Sequence, residues 1–298
     1  TDRATFHDTA GDDTYNAYHD RVVMTGAGYN NEGRGFDSTY AYASTGNNEA
    51  YFYDTAGNDT YSAYGDKAIM QGSGYYNSVY DFGYTAAFST TGTDKAYLYD
   101  TAGDDVYTGW SDRATMSGTG YLNEAHDFGY TAGLASTGYD QAIFHGSEGN
   151  DTFAGWSNRS VIQSSGYMND ARNVDYAVAY ANGGYDRAYF HGTSGDDTYA
   201  AWGDRALMTG TGFFNDTNDF EYNVAFSNGG NDQATFYDTS GDDVYAAWSN
   251  RAVMLGSGYF NDVRNFATTY AHATDGYDRA IFHDSANDDD VYAEAWGA

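Results

Sequence analysis

The sequence predicts an all-β chain, a flattened two-sheet parallel β-solenoid of the β-roll or β-helix kind. Three observations predict it. A 46-residue repeat runs through the chain: Asp8 to Tyr15 (DTAGDDTY) returns at Asp54, Asp100, Gly146 (GSEGNDTF), Gly192, Asp238 and, with one inserted residue, at Asp284. Self-similarity at a fixed period means units that bury their apolar faces only against their neighbours. The 298 residues include no proline, so nearly every residue can give an N–H to a ladder. Tyrosine (32), phenylalanine (17) and glycine (37) are abundant, and aromatics favour pleated surfaces while glycine favours tight corners.

The elements of one repeat follow in order. Asp2 to Phe6 alternates Ala4 and Phe6 inward, the period of a half-buried strand, and the columns continue through Ala50 and Phe52, Ala96 and Leu98, and Ala142 and Phe144. A glycine- and Asp-rich corner leads to a facing strand with Tyr15 and Ala17 inward. Asp20-Arg21-Val22-Val23-Met24 then echoes Asp2-Arg3-Ala4-Thr5-Phe6, and Ser38 to Tyr42 echoes Asp13 to Ala17. The 46 residues therefore divide into an 18-residue turn and a 28-residue turn. The longer turn carries Gly28-Tyr29-Asn30-Asn31 and its copies from Gly74 to Gly258, expected as a bulging loop along one edge. In the strand near Phe36 both parities are partly apolar and the buried face stays unassigned. Six repeats (1–276) and a half repeat (277–298) make a single repeat domain, 1–298, of thirteen turns with neither end capped. It is expected to continue into further repeats, other domains or another copy of itself.

Composition bounds the partners. With 43 acidic against 13 basic residues the net charge is −30, so nucleic acid and anionic membranes are poor partners and cations good ones. No apolar run is long enough to insert in a membrane. Absence of cysteine excludes disulfides and thiolate chemistry and fits an extracellular or cell-surface protein.

The strongest local motif is Gly146-Ser147-Glu148-Gly149-Asn150-Asp151-Thr152-Phe153-Ala154. It resembles the glycine- and aspartate-rich nonapeptide of hemolysin-type calcium-binding repeats, with Ser147 in place of the second glycine. The resemblance covers about nine residues of each repeat and implies a calcium cofactor held by Asp151 and its equivalents Asp13, Asp59, Asp105, Asp197 and Asp243. Two departures stand out: the long loop lies where that family places its next nonapeptide, and most copies begin with Asp, as Asp8 does, instead of the first glycine. Without an ion, the same Asp residues would accept backbone N–H bonds at tight corners.

Other columns have readings too. Asp or Asn recurs once per predicted turn at Asp2, Asp20, Asn48, Asp66, Asp94, Asp112, Asp140 and onward, expected to form one ladder at the other edge. Arg21, Lys67, Arg113, Arg159, Arg205 and Arg251 are its expected counter-charge. The Asn31 column suggests a bonded amide ladder or a left-handed turn position. Asn58, Asn150, Asn158 and Asn215 lie in glycosylation sequons. Tyr18, Tyr64, Trp110, Trp156, Trp202 and Trp248 form an outward aromatic column suited to stacking on sugar rings or packing on a second copy.

A catalytic site should break the repeat because its residues have different roles. Almost nothing here does, so the expectation is no enzyme. The leading expectation is an extracellular structural protein, a rigid acidic segment of a filament, stalk or surface layer that binds itself through its ends or aromatic edge. A calcium-stabilised adhesin that binds glycans is the second, and the non-catalytic solenoid of a secreted polysaccharide-modifying enzyme the third.

Overall fold

A computed structural model describes residues 2–283; the seventh copy of the corner motif, beginning at Asp284, lies outside them. The chain is an all-β solenoid built from two sheets in which parallel pairing predominates. Among the described residues no helix is long and apolar enough to cross a membrane. The chain forms two compact units, residues 2–151 with 158–183, and 152–157 with 184–283.

In the first unit, β1 (Arg3–His7) lies in one sheet. The chain then crosses to the other sheet, where β2 (Thr14–Ala17), β3 (Arg21–Gly26) and β4 (Tyr29–Arg34) form an antiparallel meander, and returns with β5 (Ser38–Tyr42). Each repeat thus visits the sheets three times, an odd number, so the next repeat begins in the opposite sheet. There β6 (Glu49–Tyr53) is followed across the core by the meander β7 (Thr60–Ala63), β8 (Lys67–Gly72) and β9 (Tyr75–Tyr80), and then by β10 (Tyr84–Phe88). The second unit repeats this plan, for example in Arg187–His191, the meander Thr198–Ala201, Arg205–Gly210 and Phe213–Asn218, and Tyr222–Phe226.

The turn differs from the 18- and 28-residue division. Parallel neighbours are 35 residues apart, Arg3 opposite Ser38 and Thr14 opposite Glu49, or 38 where a trailing strand meets the next meander, Thr39 opposite Asn77. The count of thirteen turns falls with that division. Residues 20–24 are the antiparallel middle strand of the meander, not the first strand of another turn. Gly28-Tyr29-Asn30-Asn31 is not a bulging loop: Ala27 and Gly28 make a two-residue hairpin turn, with Gly28 at φ 85°, and Tyr29 to Asn31 enter β4.

The core follows the inward columns. Phe52, Leu98, Phe144, Phe190 and Phe236 are fully buried with Tyr15, Tyr61, Tyr107, Phe153 and Tyr199, while Tyr51, Tyr97 and Tyr189 face outward and are half-buried. In β5 the buried face is Thr39 and Ala41, and Phe82, Phe128 and Phe220 plug the core from the bends before the trailing strands.

A polar relay crosses this core. The Tyr107 hydroxyl bonds Thr131 Oγ1 (2.5 Å), Thr131 donates to Asn169 Oδ1 (2.5 Å), and Asn169 Nδ2 donates to the Trp110 carbonyl (2.8 Å). Tyr15, Thr39 and Asn77 reach the Tyr18 carbonyl in the same way, and Tyr61, Thr85 and Asn123 the Tyr64 carbonyl. Burial raises these tyrosine hydroxyls well above their usual pKa, so they stay protonated. The Asn31 column is therefore a bonded amide column. Among the described residues the left-handed non-glycine positions are Asp81, Asp127, Asn173, Asp219 and Asn265, each in the bend after a meander.

Candidate metal centre

The corner preceding each meander builds a carboxylate site. In the second repeat, Asp59 Oδ2 accepts the backbone N–H (2.9 Å) and hydroxyl (2.7 Å) of Thr55, and Gly57 N–H returns to the Thr55 hydroxyl, closing a tight turn. Its other oxygen accepts from Tyr75 OH (2.9 Å) on β9. That oxygen lies against Gly72 so closely that a Cβ there would overlap it, which requires glycine at the end of β8. Asp59 N–H donates to Asp94 Oδ1 (2.7 Å), 35 residues on, and Asp54 completes the corner by accepting both the backbone N–H and the hydroxyl of Thr90.

Three such triads exist among the described residues: Asp54, Asp59 and Asp94; Asp100, Asp105 and Asp140; and Asp238, Asp243 and Asp278. Within each, one oxygen per residue lies within 4.8 Å of the others. Three carboxylates this close, with Asp59, Asp94, Asp105, Asp140 and Asp243 buried, repel strongly unless protonated or bridged by a cation. Burial lifts Asp54 and Asp100 above the usual carboxylate range. Asp140 is pushed up to about 6, by burial first and then by the charges of Asp100, Asp105 and Asp175.

The donor sets separate the triads. In the first, every carboxylate oxygen accepts an internal hydrogen bond, including Ser89 Oγ to Asp94 Oδ2 (2.8 Å). In the second and third, Ala135 and Ala273 replace Ser89, and no hydroxyl from that position reaches Asp140 or Asp278. These two triads offer carboxylate oxygens of the kind a hard cation takes.

Of the sequence-predicted ligands, Asp59, Asp105 and Asp243 join triads and Asp13, Asp151 and Asp197 do not. In the first repeat Asn48 takes the third place, and its Nδ2 donates to Asp8 Oδ2 (3.2 Å). In the fourth and fifth repeats Gly146 and Gly192 replace the first Asp, and in the fifth Asp197 N–H donates to Asp232 Oδ1 (2.7 Å) with no third carboxylate beside them among the described residues. The expected single ladder of Asp2, Asp20, Asn48 and Asp66 divides accordingly. Asn48, Asp94, Asp140, Asp186 and Asp232 are buried at the corners, whereas Asp20, Asp66, Asp112, Asn158, Asp204 and Asn250 lie exposed in hairpin turns. The basic column answers other acids: Arg21 pairs with Glu32 (3.2 Å), Arg159 with Asp170 (2.8 Å), Arg205 with Asp216 (2.7 Å) and Arg251 with Asp262 (3.0 Å) across each hairpin.

Asp197 is instructive. Phe213 stands where the other corners have tyrosine, and Asp197 Oδ1 is buried with no hydrogen-bond partner. Phe213→Tyr should supply the missing donor and raise stability by about 1–2 kcal/mol, read as a shift in the urea midpoint with unchanged slope. An unchanged or lowered midpoint would show that Oδ1 is already satisfied or that the hydroxyl does not fit.

The aromatic column is half-buried, with Trp248 more exposed at 39%. Its rings stack face to face on the next rung: Tyr18 on Tyr53 (4.5 Å between centroids), Tyr64 on Tyr99 (4.3 Å), Trp110 on His145 (5.3 Å), Trp156 on His191 (4.8 Å), Trp202 on Tyr237 (4.9 Å) and Trp248 on His283 (4.4 Å). Arg113 lies over Trp110 at 4.4 Å. Burial lowers the pKa of His145 and His191, keeping both neutral in their stacks at pH 7. Of the sequons, Asn58, Asn150 and Asn158 are exposed. Asn215 is buried, its Nδ2 donating to the Trp156 carbonyl (3.0 Å), and a glycan there is incompatible with this packing.

No protein-family model matches the chain, and the searches of curated proteins and of solved structures find no match.

Proposed function

We propose that this chain is an extracellular structural protein, a rigid β-solenoid segment of a filament, stalk or surface layer that associates with itself and takes calcium at its carboxylate triads. The observation that carries this reading is the recurrence of one set of bonds at one register: the Tyr–Thr–Asn relay inside, the stacked rings outside and the aspartate corner between. Such a design distributes its bonding evenly along the sheets and suits a mechanical or scaffolding role better than catalysis. The acidic, cysteine-free composition supports an exported location, and the oxygen-only triads support calcium over softer metals.

A calcium-stabilised adhesin that binds glycans is the second reading. A cleft of about 460 Å³ beside Trp110, His145 and Tyr180, floored by Gly146 and edged by Asp112 and Glu148, favours it. Negative-stain electron microscopy of the purified chain, in calcium and then in excess chelator, separates the two. Fibres that survive chelation are expected if self-association is primary. Discrete rods that unfold or aggregate in chelator would put the adhesin first.

A further inference from the structure

Tyrosines of successive rungs meet in two different ways on the outward faces of the first unit. Among the described residues, three pairs lie face to face: Tyr18 on Tyr53 (4.5 Å between centroids, planes 8° apart), Tyr42 on Tyr80 (4.9 Å, 10°) and Tyr64 on Tyr99 (4.3 Å, 6°). Other pairs meet edge to face or tilted: Tyr51 and Tyr84 (5.8 Å, 63°), Tyr97 and Tyr130 (6.0 Å, 64°), and Tyr40 and Tyr76 (5.9 Å, 42°). All of these rings are half-buried, so access to solvent does not separate the two groups.

The face-to-face pairs follow from strand direction. Tyr42 stands directly opposite Tyr80 in the parallel register of β5 and β9. Tyr18 and Tyr53 continue the register of β2 with β6, and Tyr64 and Tyr99 that of β7 with Lys95–Tyr99. Parallel strands launch both side chains in the same sense about 4.8 Å apart, so the carbons ortho to one hydroxyl lie across from those of the other. The hydroxyls lie together as well: burial first, and then Tyr18 beside it, raises the pKa of Tyr53, and burial and then Tyr99 raises that of Tyr64. Beyond each pair the column changes. Tyr53 stacks next on Phe88 (5.5 Å) and Tyr42 on His7 (5.2 Å), while Tyr99 stands opposite Leu134.

We infer that Tyr18 with Tyr53, Tyr42 with Tyr80 and Tyr64 with Tyr99 are sites of oxidative modification, where hydrogen peroxide and a haem peroxidase join stacked phenols into dityrosine crosslinks between adjacent rungs. Each phenol gives up one electron and its O–H proton. One Cε–Cε bond forms between the two radicals, and the hydrogens on those carbons move to the oxygens, restoring both phenols. The peroxide takes the two electrons and two protons and leaves as two waters. Rings already held face to face need no search for a partner, which is the slow step for free phenols. Each bond staples one rung covalently to the next, in a chain with no cysteine for disulfides. The crosslink needs neither calcium nor a second copy of the chain.

The test treats the full chain, over a concentration series, with haem peroxidase and hydrogen peroxide, followed by proteolysis and mass spectrometry of the crosslinked peptides. Crosslinks at the three stacked pairs are expected within single chains, each as a loss of two hydrogens with the fluorescence of a biphenol, at a yield independent of chain concentration. Tyr51 and Tyr84 are the internal control. Their hydroxyls donate to Glu49 (2.7 Å) and Glu124 (2.9 Å), carboxylates able to take the phenol protons, yet the rings stand edge to face. Misaligned in this way, they should couple at less than about a tenth of the yield of the stacked pairs. Tyr53→Phe, checked for native circular dichroism, keeps the stacked ring without its phenol and should abolish the Tyr18 crosslink while leaving the other two. Dityrosine between Tyr51 and Tyr84 as abundant as at the stacked pairs would overturn the inference. Crosslinking confined to the exposed Tyr139 (53%) and Tyr277 (82%), where access alone directs it, would do the same, as would a chain that yields no dityrosine.

Discussion

Asn123→Ala is expected to lower the unfolding free energy by about 3–4 kcal/mol, whereas Asn31→Ala, at the same position of the first repeat, should change it by less than about 0.5 kcal/mol. The contrast follows from where the two amides lie. Asn123 is buried, accepts from Thr85 Oγ1 (2.6 Å) within its own sheet and donates to the Tyr64 carbonyl (2.9 Å) of the facing one. Truncation strands a hydroxyl and a carbonyl in the core and leaves a cavity the size of an amide. Asn31 is exposed and water takes over its bonds. Chemical denaturation of both variants reads the difference, and equal small losses would show that the relay fills space without contributing to stability.

The repeats themselves vary this relay. In the fourth, Phe153 and Ala177 occupy the tyrosine and threonine positions together, so neither hydroxyl is left stranded. In the fifth, Asn223 replaces threonine and turns its amide to the Phe220 carbonyl (3.0 Å) and to Asn261 (3.0 Å), and the Tyr199 hydroxyl is left buried without a partner. Paired loss is the cheaper change, since an unmatched polar group in the core costs more than an apolar pair.

Sheet faces were legible in the sequence because alternation reports burial directly, and Ala50 with Phe52 or Tyr61 with Ala63 leaves one parity inside. Strand direction was not. A period of two reads the same forwards and backwards, so Val22 and Met24 in β3 mimic Ala4 and Phe6 in β1 although β3 runs antiparallel to its neighbours. The signal that could have broken the tie was Gly26-Ala27-Gly28-Tyr29, a two-residue turn with glycine at the positive-φ position. The same misreading scattered the metal site. An 18-residue step sends Asp94 to the far edge, whereas the 35-residue register brings it to Asp59. Asp54, Asp100 and Asp238, which as replacements of a glycine counted against calcium, supply the third carboxylate of each triad.

With calcium at those triads as proposed, stability should depend on pH and calcium together, which is the second large effect. In chelator, lowering the pH from 7 towards 5 is expected to raise the melting temperature. Asp140 is the clearest source: its pKa is raised to about 6 in the fold against about 3.9 when unfolded. The native state therefore binds this proton more tightly, and the resulting stability is complete below about pH 4 and lost as pH rises through about 6. Asp54 and Asp100 shift the same way. Glu124 opposes them at lower pH because the hydrogen bond from His126 holds its pKa down. Burial would raise Asp170, but Arg159 and Arg172 hold it below the usual range. Both lose stability as pH falls through the carboxylate range, so the optimum in chelator lies between the two groups of titrations. On the function proposed above, calcium should replace the proton. At pH 7 each occupied triad should add about 2.7 kcal/mol when free calcium is one hundred times its dissociation constant, and the rise in stability towards pH 5 should flatten because proton and ion compete for the same oxygens. Asp105→Asn should remove one site's share of the calcium response while the triad of Asp238, Asp243 and Asp278 keeps its own. Differential scanning calorimetry across pH 4.5–7.5, with calcium and with chelator, reads all of this. Identical profiles in the two buffers would eliminate calcium and leave the aspartate corners as hydrogen-bonded, proton-sharing turns.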